Sequence, residues 1–186
     1  MQAKNDFFTI EREIGIDAGH RVMTHGSKCK NIHGHRYTVY AICKGPLADA
    51  GEQHSMVIDF GFIKDIMMDE IDKLCDHGFI SAQQDVEVLE MFRPKNQKAP
   101  QFETVQAWLD SMKPLVDSFG SILTTATEGG NKLYIVPFIP TAENLAKHWF
   151  ERLAPRVKER TGDRAYLYQV KVQETPNSRA TYPVVY

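Results

Sequence analysis

The sequence predicts an α+β fold, with strand-forming segments at both ends of the chain and amphipathic helices between them. Near the amino terminus, residues 7–16 and 36–44 are rich in β-branched and aromatic residues, and a polar segment separates them. Near the carboxyl terminus, residues 166–173 alternate between apolar and polar side chains, and residues 180–186 follow a Pro-Asn-Ser turn. Strands and helices that are segregated along a chain are typical of an α+β domain.

Two long helices are predicted between the terminal strands. The first is expected to begin after Asp59, because aspartate commonly caps helix amino termini, and to end near residues 75–78, with Gly78 as the stop signal. Its apolar residues recur at helical spacing. The second is expected to begin at Thr141, with the carboxylate of Glu143 in the positively polarised first turn.

The segment between these helices, residues 80–139, is predicted to be an insertion within one domain that spans residues 1–186. It contains two helix-like stretches, residues 86–92 and residues 104–119, the second interrupted by Pro114. A short apolar run at 133–136 predicts a strand.

Composition excludes several classes of protein. The chain has 186 residues, of which 42% are hydrophobic, so it can bury a substantial core. Its net charge of -2 argues against a general nucleic-acid binder, which usually carries a strong basic excess. No apolar run approaches the roughly 18 residues that span a bilayer, and the first residues lack the apolar core of a signal peptide. Three cysteines are therefore expected to be reduced thiols in a cytoplasmic protein.

The most informative stretch contains His33 and His35 on a predicted strand. Side chains two residues apart on a strand point to the same face, so these two imidazoles should lie side by side. His20 ends the preceding extended segment, and a third imidazole there would complete a three-nitrogen site of the kind that holds catalytic zinc. Cys29 lies four residues before the pair, within reach of such a site. The alternative for this spacing alone is a pair of surface histidines in a hairpin.

Three further residues are candidates whose local sequence favours simpler interpretations. Asp76 and His77 are adjacent at the predicted end of the first helix, where neighbouring side chains point apart. They are most simply helix-end residues, with His77 stabilised by the helix dipole. Glu174 interrupts the alternation near the end of a predicted strand, and is most simply a solvated edge residue.

Together these segments resemble one family, the 6-pyruvoyl-tetrahydropterin synthases and 6-carboxytetrahydropterin synthases. The resemblance covers six motifs in the family's order, namely residues 18–20, 29–35, 57–60, 76–77, 140–146 and 170–175. It implies the tunnelling fold (T-fold), a four-stranded antiparallel sheet with two helices on one face. It also implies trimers that close into a twelve-stranded barrel, and stacking of two trimers into a homohexamer. The insertion is longer than the link usual in this family.

The resemblance assigns the metal site by position. His20, His33 and His35 match the family's zinc ligands, so Zn²⁺ is the implied cofactor. Cys29 matches the family's catalytic thiol. The family places its site at a subunit boundary, so the thiol and the rest of the proton relay can come from different chains.

The resemblance also assigns the substrate-facing residues. His77 matches the histidine of the family's proton relay, and Asp76 matches the carboxylate beside it. Glu174 matches the acid that anchors the pterin ring and takes part in the relay. Thr141 and Glu143 match a segment that shapes the pterin pocket.

Within the family, the spacing Cys-x-x-x-His-Gly-His is similar to the bacterial carboxytetrahydropterin branch, which serves queuosine-type deazapurine synthesis. The implied reaction converts 7,8-dihydroneopterin triphosphate to 6-carboxy-5,6,7,8-tetrahydropterin, acetaldehyde and triphosphate. No nucleic acid or membrane partner is implied. Three alternatives stay open: a lyase that forms the 6-pyruvoyl product, a non-catalytic zinc- or pterin-binding homologue, and a zinc hydrolase.

Overall fold

The structure is a computed structural model that describes residues 6–95 and 101–184. The strands in this part of the chain are β1 (Phe8–His20), β2 (His33–Gly45), β3 (Gly78–Ala82), β4 (Ile122–Thr124), β5 (Leu133–Val136), β6 (Tyr166–Thr175) and β7 (Ser178–Tyr182). The helices are α1 (Phe60–Met67), a π-helical turn (Met68–Asp72), α2 (Lys73–Cys75), α3 (Val86–Phe92), α4 (Val105–Phe119) and α5 (Ala142–Thr161), with 3₁₀ turns at Lys28–Lys30 and Glu128–Gly130.

The described strands form one mixed sheet in the order β4-β5-β3-β1-β2-β6-β7. The prediction of a four-stranded antiparallel sheet was therefore wrong in the number and direction of strands. β1, β2, β6 and β7 correspond to the predicted strands, and β2–β6 and β6–β7 are antiparallel. β3 pairs parallel with both β1 and β5, and β4 pairs antiparallel with β5. The extra strands arise because the predicted insertion extends the sheet.

The chain divides into two compact units, and β1 and β2 contribute to both. The first unit contains residues up to Ile16, Tyr37–Lys73 and the chain from Leu145 onward. Asp59 caps α1 as predicted, since its carboxylate accepts hydrogen bonds from the backbone N–H groups of Gly61 and Phe62. The fully buried side chains of this unit include Trp149, Tyr37, Ile63, Met67 and Leu145.

Salt bridges join the π-helical turn of the first unit to α5. The carboxylate of Glu70 accepts hydrogen bonds from Arg152 at 2.6 Å and from Arg156 at 2.5 Å. Glu70 is largely buried, so these charge-assisted contacts offset much of the cost of removing its charge from water.

The second unit contains Asp17–Arg36 and Leu74–Asn144. Its core packs α3 and α4 against β5 through buried apolar side chains, namely Leu89, Trp108, Met112, Val116, Leu133 and Ile135. α3 has the predicted bounds, but α4 continues through Pro114 without interruption. The buried face of α4 keeps the helix continuous, because it stabilises the turns on both sides of the proline. The prediction of a single domain with an insertion at 80–139 stays a prediction.

One predicted boundary is confirmed and another differs in the structure. The first helix ends at Cys75, within the predicted range of 75–78, and the left-handed backbone conformation lies at His77 (φ 53°), whereas Gly78 begins β3. The last strand ends at Tyr182, and positions 185–186 of the predicted strand lie outside the described residues. Across the described part of the chain, the helices are too short or too polar to cross a membrane.

Candidate functional site

Three histidines converge where β1 ends and β2 begins. His20 is the last residue of β1, and His33 and His35 are the first and third residues of β2. The ring centroids are 4.5 Å apart for His20 and His33, 5.3 Å for His20 and His35, and 4.9 Å for His33 and His35. One ring nitrogen from each residue lies within 4.8 Å of the others. This is the cluster that the two-residue spacing predicted, and it could bind a metal.

Backbone carbonyls fix the protonation of two of these rings. The Nδ1–H of His20 donates to the carbonyl oxygen of Pro140 at 2.8 Å, and the Nδ1–H of His33 donates to that of Asn31 at 2.7 Å. A carbonyl can only accept, so in the neutral form of each ring Nδ1 carries the proton and Nε2 keeps its lone pair. Metal-ligating histidines characteristically donate the other ring N–H in this way. The donor set therefore fits a zinc ion.

Burial keeps His20 in the form that binds a metal. Its side chain has no solvent exposure, and burial lowers its pKa from 6.5 to about 4 despite the opposing hydrogen bond to Pro140. The neighbouring His33 and His35 lower this pKa further. His20 is consequently neutral at pH 7, as a nitrogen ligand must be.

Cys29 lies in the 3₁₀ turn between β1 and β2, as a half-buried free thiol. The carbonyl of Cys29 accepts a hydrogen bond from the N–H of Val22 at 2.8 Å, which closes the loop at its base. The thiol is outside the group of three ligand atoms found among the described residues. Cys29 is therefore not one of the candidate metal ligands, and its predicted catalytic role stays a prediction.

Asp76 and His77 are in direct contact, although neighbours on a helix would point apart. The Nδ1 of His77 lies 2.7 Å from the carboxylate of Asp76. The left-handed backbone of His77 turns its ring toward Asp76, a conformation that histidine adopts more readily than most residues. Two hydrogen bonds anchor this turn to β1, from Asp17 N–H to the Asp76 carboxylate and from His77 N–H to the Asp17 carbonyl.

The ionisation of Asp76 reflects two opposing effects. Partial burial raises its pKa, but the hydrogen bonds from Asp17 and His77 favour the carboxylate and outweigh burial, so the net pKa is lowered. An ionised carboxylate accepts the Nδ1–H of His77 and leaves its Nε2 as the atom available to exchange a proton. The side chain of His77 is 77% exposed, which makes that nitrogen accessible.

A shallow depression of about 410 Å³ connects the histidine cluster with the Asp76–His77 pair inside the second unit. Its lining includes His35 from the histidine cluster and His77 from the relay pair, together with Asp17 and Arg36. Arg36 and Asp17 form a salt bridge there. The second unit thus presents a candidate metal-binding cluster and a carboxylate–imidazole pair along one cavity.

Glu174 lies in an irregularity of β6, in the first unit. The pairing of β6 with β7 shifts between Gln173 and Thr175, so Glu174 is the extra residue of a bulge. Such bulges commonly re-aim a side chain next to a functional site. The hydroxyl of Tyr37 donates to the Glu174 carboxylate at 3.4 Å. Glu174 is half-buried, rather than the solvated edge residue that local sequence favoured.

Thr141 and Glu143 lie at the start of α5. The hydroxyl of Thr141 accepts from the N–H of Asn144 at 3.4 Å, a capping geometry. Glu143 is exposed in the first turn. Their predicted part in a pterin pocket stays a prediction.

Sequence reasoning missed several polar partners in the second unit. The carbonyl of Pro140 holds His20, the backbone of Asp17 holds the Asp76–His77 turn, and Asp85 binds Arg21. Each contact joins positions at least 59 residues apart, so no local periodicity reveals it.

Comparison with known proteins identifies the class. The family model described as 6-pyruvoyl tetrahydropterin synthase matches residues 9–184. The chain belongs to this family of lyase-type tetrahydropterin synthases. The resemblance predicted from the six motifs is thereby confirmed.

Named relatives refine the comparison. A protein from Rickettsia felis is 31% identical over 166 residues, which cover 89% of this chain and 93% of the relative. A protein from Haemophilus influenzae is 29% identical, covering 94% of this chain and 98% of the relative. Both are named 6-carboxy-5,6,7,8-tetrahydropterin synthase, as the predicted similarity to the bacterial branch requires.

Solved structures confirm the tunnelling-fold class, although the sheet of the described residues has seven strands rather than the predicted four. An uncharacterized protein from Wolinella succinogenes superposes with a TM-score of 0.65 at 23% identity, covering 94% of this chain and 97% of the other. The 6-pyruvoyl tetrahydropterin synthase of Plasmodium vivax gives a TM-score of 0.58 at 18% identity, with coverages of 95% and 96%. At these identities the likeness establishes the fold alone.

Proposed function

We propose that this chain is a zinc-dependent 6-carboxytetrahydropterin synthase. It converts 7,8-dihydroneopterin triphosphate to 6-carboxy-5,6,7,8-tetrahydropterin, acetaldehyde and triphosphate, within queuosine-type deazapurine synthesis in the cytoplasm. The observation that carries the proposal is the convergence of His20, His33 and His35, whose ligand atoms lie within 4.8 Å of one another. The names of the bacterial relatives support the product, and the fixed tautomers of His20 and His33 support the metal.

The three histidines would hold the zinc ion. When bound, zinc acts as a Lewis acid that polarises oxygen atoms on the substrate side chain. His20 contributes a neutral, fully buried ligand, and the carbonyl of Pro140 sets the orientation of its ring.

The proton transfers fall to Cys29 and to the Asp76–His77 pair. As a thiolate, Cys29 can accept a proton from the substrate side chain and return it. Asp76 holds His77 in the tautomer whose Nε2 accepts a proton, and it stabilises the imidazolium that results. His77 therefore serves as the second acid or base of the reaction.

Glu174 is proposed to recognise the pterin ring. A carboxylate accepts hydrogen bonds from the 2-amino group and a ring N–H, a pairing that selects a guanine-like edge. The hydrogen bond from Tyr37 restrains the carboxylate in its bulge. Thr141 and Glu143 are proposed to help shape a pterin pocket from the start of α5.

The metal assignment is tested with paired histidine variants. His33→Ala removes one of three ligands, and we expect the purified variant to lose bound zinc in elemental analysis. His25→Ala is the matched control, because it removes an exposed histidine that lies outside the candidate ligand group and accepts from the N–H of Ser27. Zinc content in His33→Ala equal to that of the control would contradict the assignment.

The reaction is tested by incubating the zinc-loaded protein with 7,8-dihydroneopterin triphosphate and identifying products by mass spectrometry. Acetaldehyde with 6-carboxytetrahydropterin is the expected result. A 6-pyruvoyl product with triphosphate would move the chain to the other branch of the family. Failure to release triphosphate would indicate the third possibility, a non-catalytic homologue that binds zinc or pterin.

We also propose a homohexamer made of two trimers. The described sheet ends at β4 and at β7, and exposed sheet edges favour pairing with another chain. Sedimentation equilibrium should give six times the mass of the chain, and a monomeric mass at micromolar concentration would contradict this assembly.

A further inference from the structure

The residue after His20 makes a buried ion pair that the proposed reaction does not use. The Nε of Arg21 donates to one oxygen of Asp85 at 2.5 Å, and its Nη2 donates to the other. The side chains are 15% and 3% exposed. A bidentate pair of this kind fixes both the position and the orientation of the guanidinium plane.

Asp85 is itself held in place by the second unit. It is the amino-terminal cap of α3, where its carboxylate also accepts from the N–H of Val88 at 3.3 Å. The next turn of α3 buries Val88 and Leu89, and Leu89 belongs to the apolar core that packs α3 on α4. The carboxylate is therefore a rigid acceptor, anchored through the helix that it caps.

Arg21 occupies the point where β1 becomes the loop that carries Cys29. His20 precedes Arg21 in the sequence and Val22 follows it. The N–H of Val22 donates the hydrogen bond to the Cys29 carbonyl that closes the loop. Fixing the Arg21 side chain therefore restrains the backbone on both sides, toward the metal ligand and toward the thiol.

We propose that Asp85, acting through Arg21, is a positioning residue that sets the geometry of His20 and of the Cys29 loop. This inference rests on the proposed metal-dependent function. It gives the predicted insertion a role in the reaction, since α3 supplies the carboxylate from a segment that is distant in sequence. Contacts that orient a metal ligand from outside typically change metal affinity by about 10–100-fold when they are removed.

The structure offers a matched pair of variants. Asp85→Asn removes the charge but keeps the size and the helix cap, because asparagine caps as well as aspartate. Glu87→Gln is the control: Glu87 also pairs with Arg21 at 2.9 Å, but its side chain is 84% exposed, and such surface pairs contribute little. Both variants remove one negative charge near the same guanidinium.

The experiment measures two quantities in the full-length protein. The first is the zinc dissociation constant, from competition with a chromogenic chelator, with the absorption spectrum of the Co²⁺-substituted protein as a signature of ligand geometry. The second is the rate at which iodoacetamide alkylates the metal-free protein. Cys43 and Cys75 have no solvent exposure, so this rate reports Cys29.

We expect Asp85→Asn to weaken zinc binding by about 10-fold, to alter the Co²⁺ spectrum and to speed alkylation several-fold. Glu87→Gln should match the wild type in all three. If circular dichroism shows that Asp85→Asn is unfolded, Arg21→Lys takes its place, because lysine keeps the charge and loses the bidentate geometry. An unchanged zinc affinity or an unchanged alkylation rate in the folded variant would overturn the inference. Failure of the wild type to bind zinc would instead overturn the metal-dependent function.

Discussion

His148 on α5 gives a quantitative prediction about acid stability. Its side chain is 7% exposed, and burial lowers its pKa from 6.5 to about 4, with a smaller contribution from the positive charge of Arg152 one turn later. Taking a charged imidazole out of water is costly, so the native protein strongly favours the neutral ring.

The sign of the effect follows from the two titrations. In the unfolded chain His148 titrates near its ordinary value of about 6.5, so between that pH and about 4 the unfolded state binds more protons. The contribution of neutral His148 to stability is complete above its pKa in the unfolded chain. It is lost as the pH falls through its pKa in the folded protein. The full difference corresponds to about 3 kcal/mol, and about 2 kcal/mol of it is lost between pH 7 and pH 5.

The assay compares urea unfolding of wild type and His148→Gln at pH 7 and pH 5, with chelator present so that both are metal-free. Glutamine does not titrate, so between pH 7 and pH 5 the free energy of unfolding of the variant should fall by about 2 kcal/mol less than that of the wild type. The other histidines are common to both proteins and cancel in the comparison. His54→Gln, which removes an exposed imidazole from the same unit, should behave as wild type. The same pH dependence in His148→Gln and in wild type would refute the reasoning.

Two further substitutions test the packing and the chemistry of the second unit. A Cβ on Gly19 would lie 2.7 Å from the ring of Phe79, so Gly19→Ala should cost about 1–3 kcal/mol in urea unfolding, whereas Gly26→Ala, with open space around it, should be nearly neutral. Equal stabilities for these two variants would contradict the close packing at Gly19. If Cys29 is the proposed proton carrier, Cys29→Ala should keep the zinc content of the wild type by elemental analysis and lose about 100-fold or more in the rate of triphosphate release. A near-normal rate would remove the thiol from the mechanism.

Local sequence patterns predicted those secondary-structure elements whose sequence signals lie within a few neighbouring residues. Asp59 caps α1 because a carboxylate at that position reaches two free N–H groups, and α3 has the predicted bounds. The pairing of His33 and His35 could be predicted in the same way, because alternate side chains of a strand lie on the same face.

Features that depend on distant partners were not predictable in this way. β3 has five residues and β4 has three, too few for a periodic signal, and each is a strand only because a neighbour pairs with it. The contact between Asp76 and His77 depends on the left-handed backbone of His77, and no sequence pattern predicted that conformation. The hydrogen bond from the Asp17 N–H to the Asp76 carboxylate stabilises that turn from a strand 59 residues away.

This difference between local and long-range contacts explains why the candidate ligands could be predicted from the sequence, whereas the distant groups that orient His20 could not. Three imidazoles at the junction of β1 and β2 need only correct strand geometry to converge. The ring of His33 is oriented by the nearby carbonyl of Asn31. The geometry of His20 depends instead on the carbonyl of Pro140 and on the carboxylate of Asp85, which lie 120 and 64 residues from the groups they hold. Both orienting groups lie at or beside the ends of the predicted insertion. A change in that segment can therefore alter metal affinity while every ligand and the thiol stay in place.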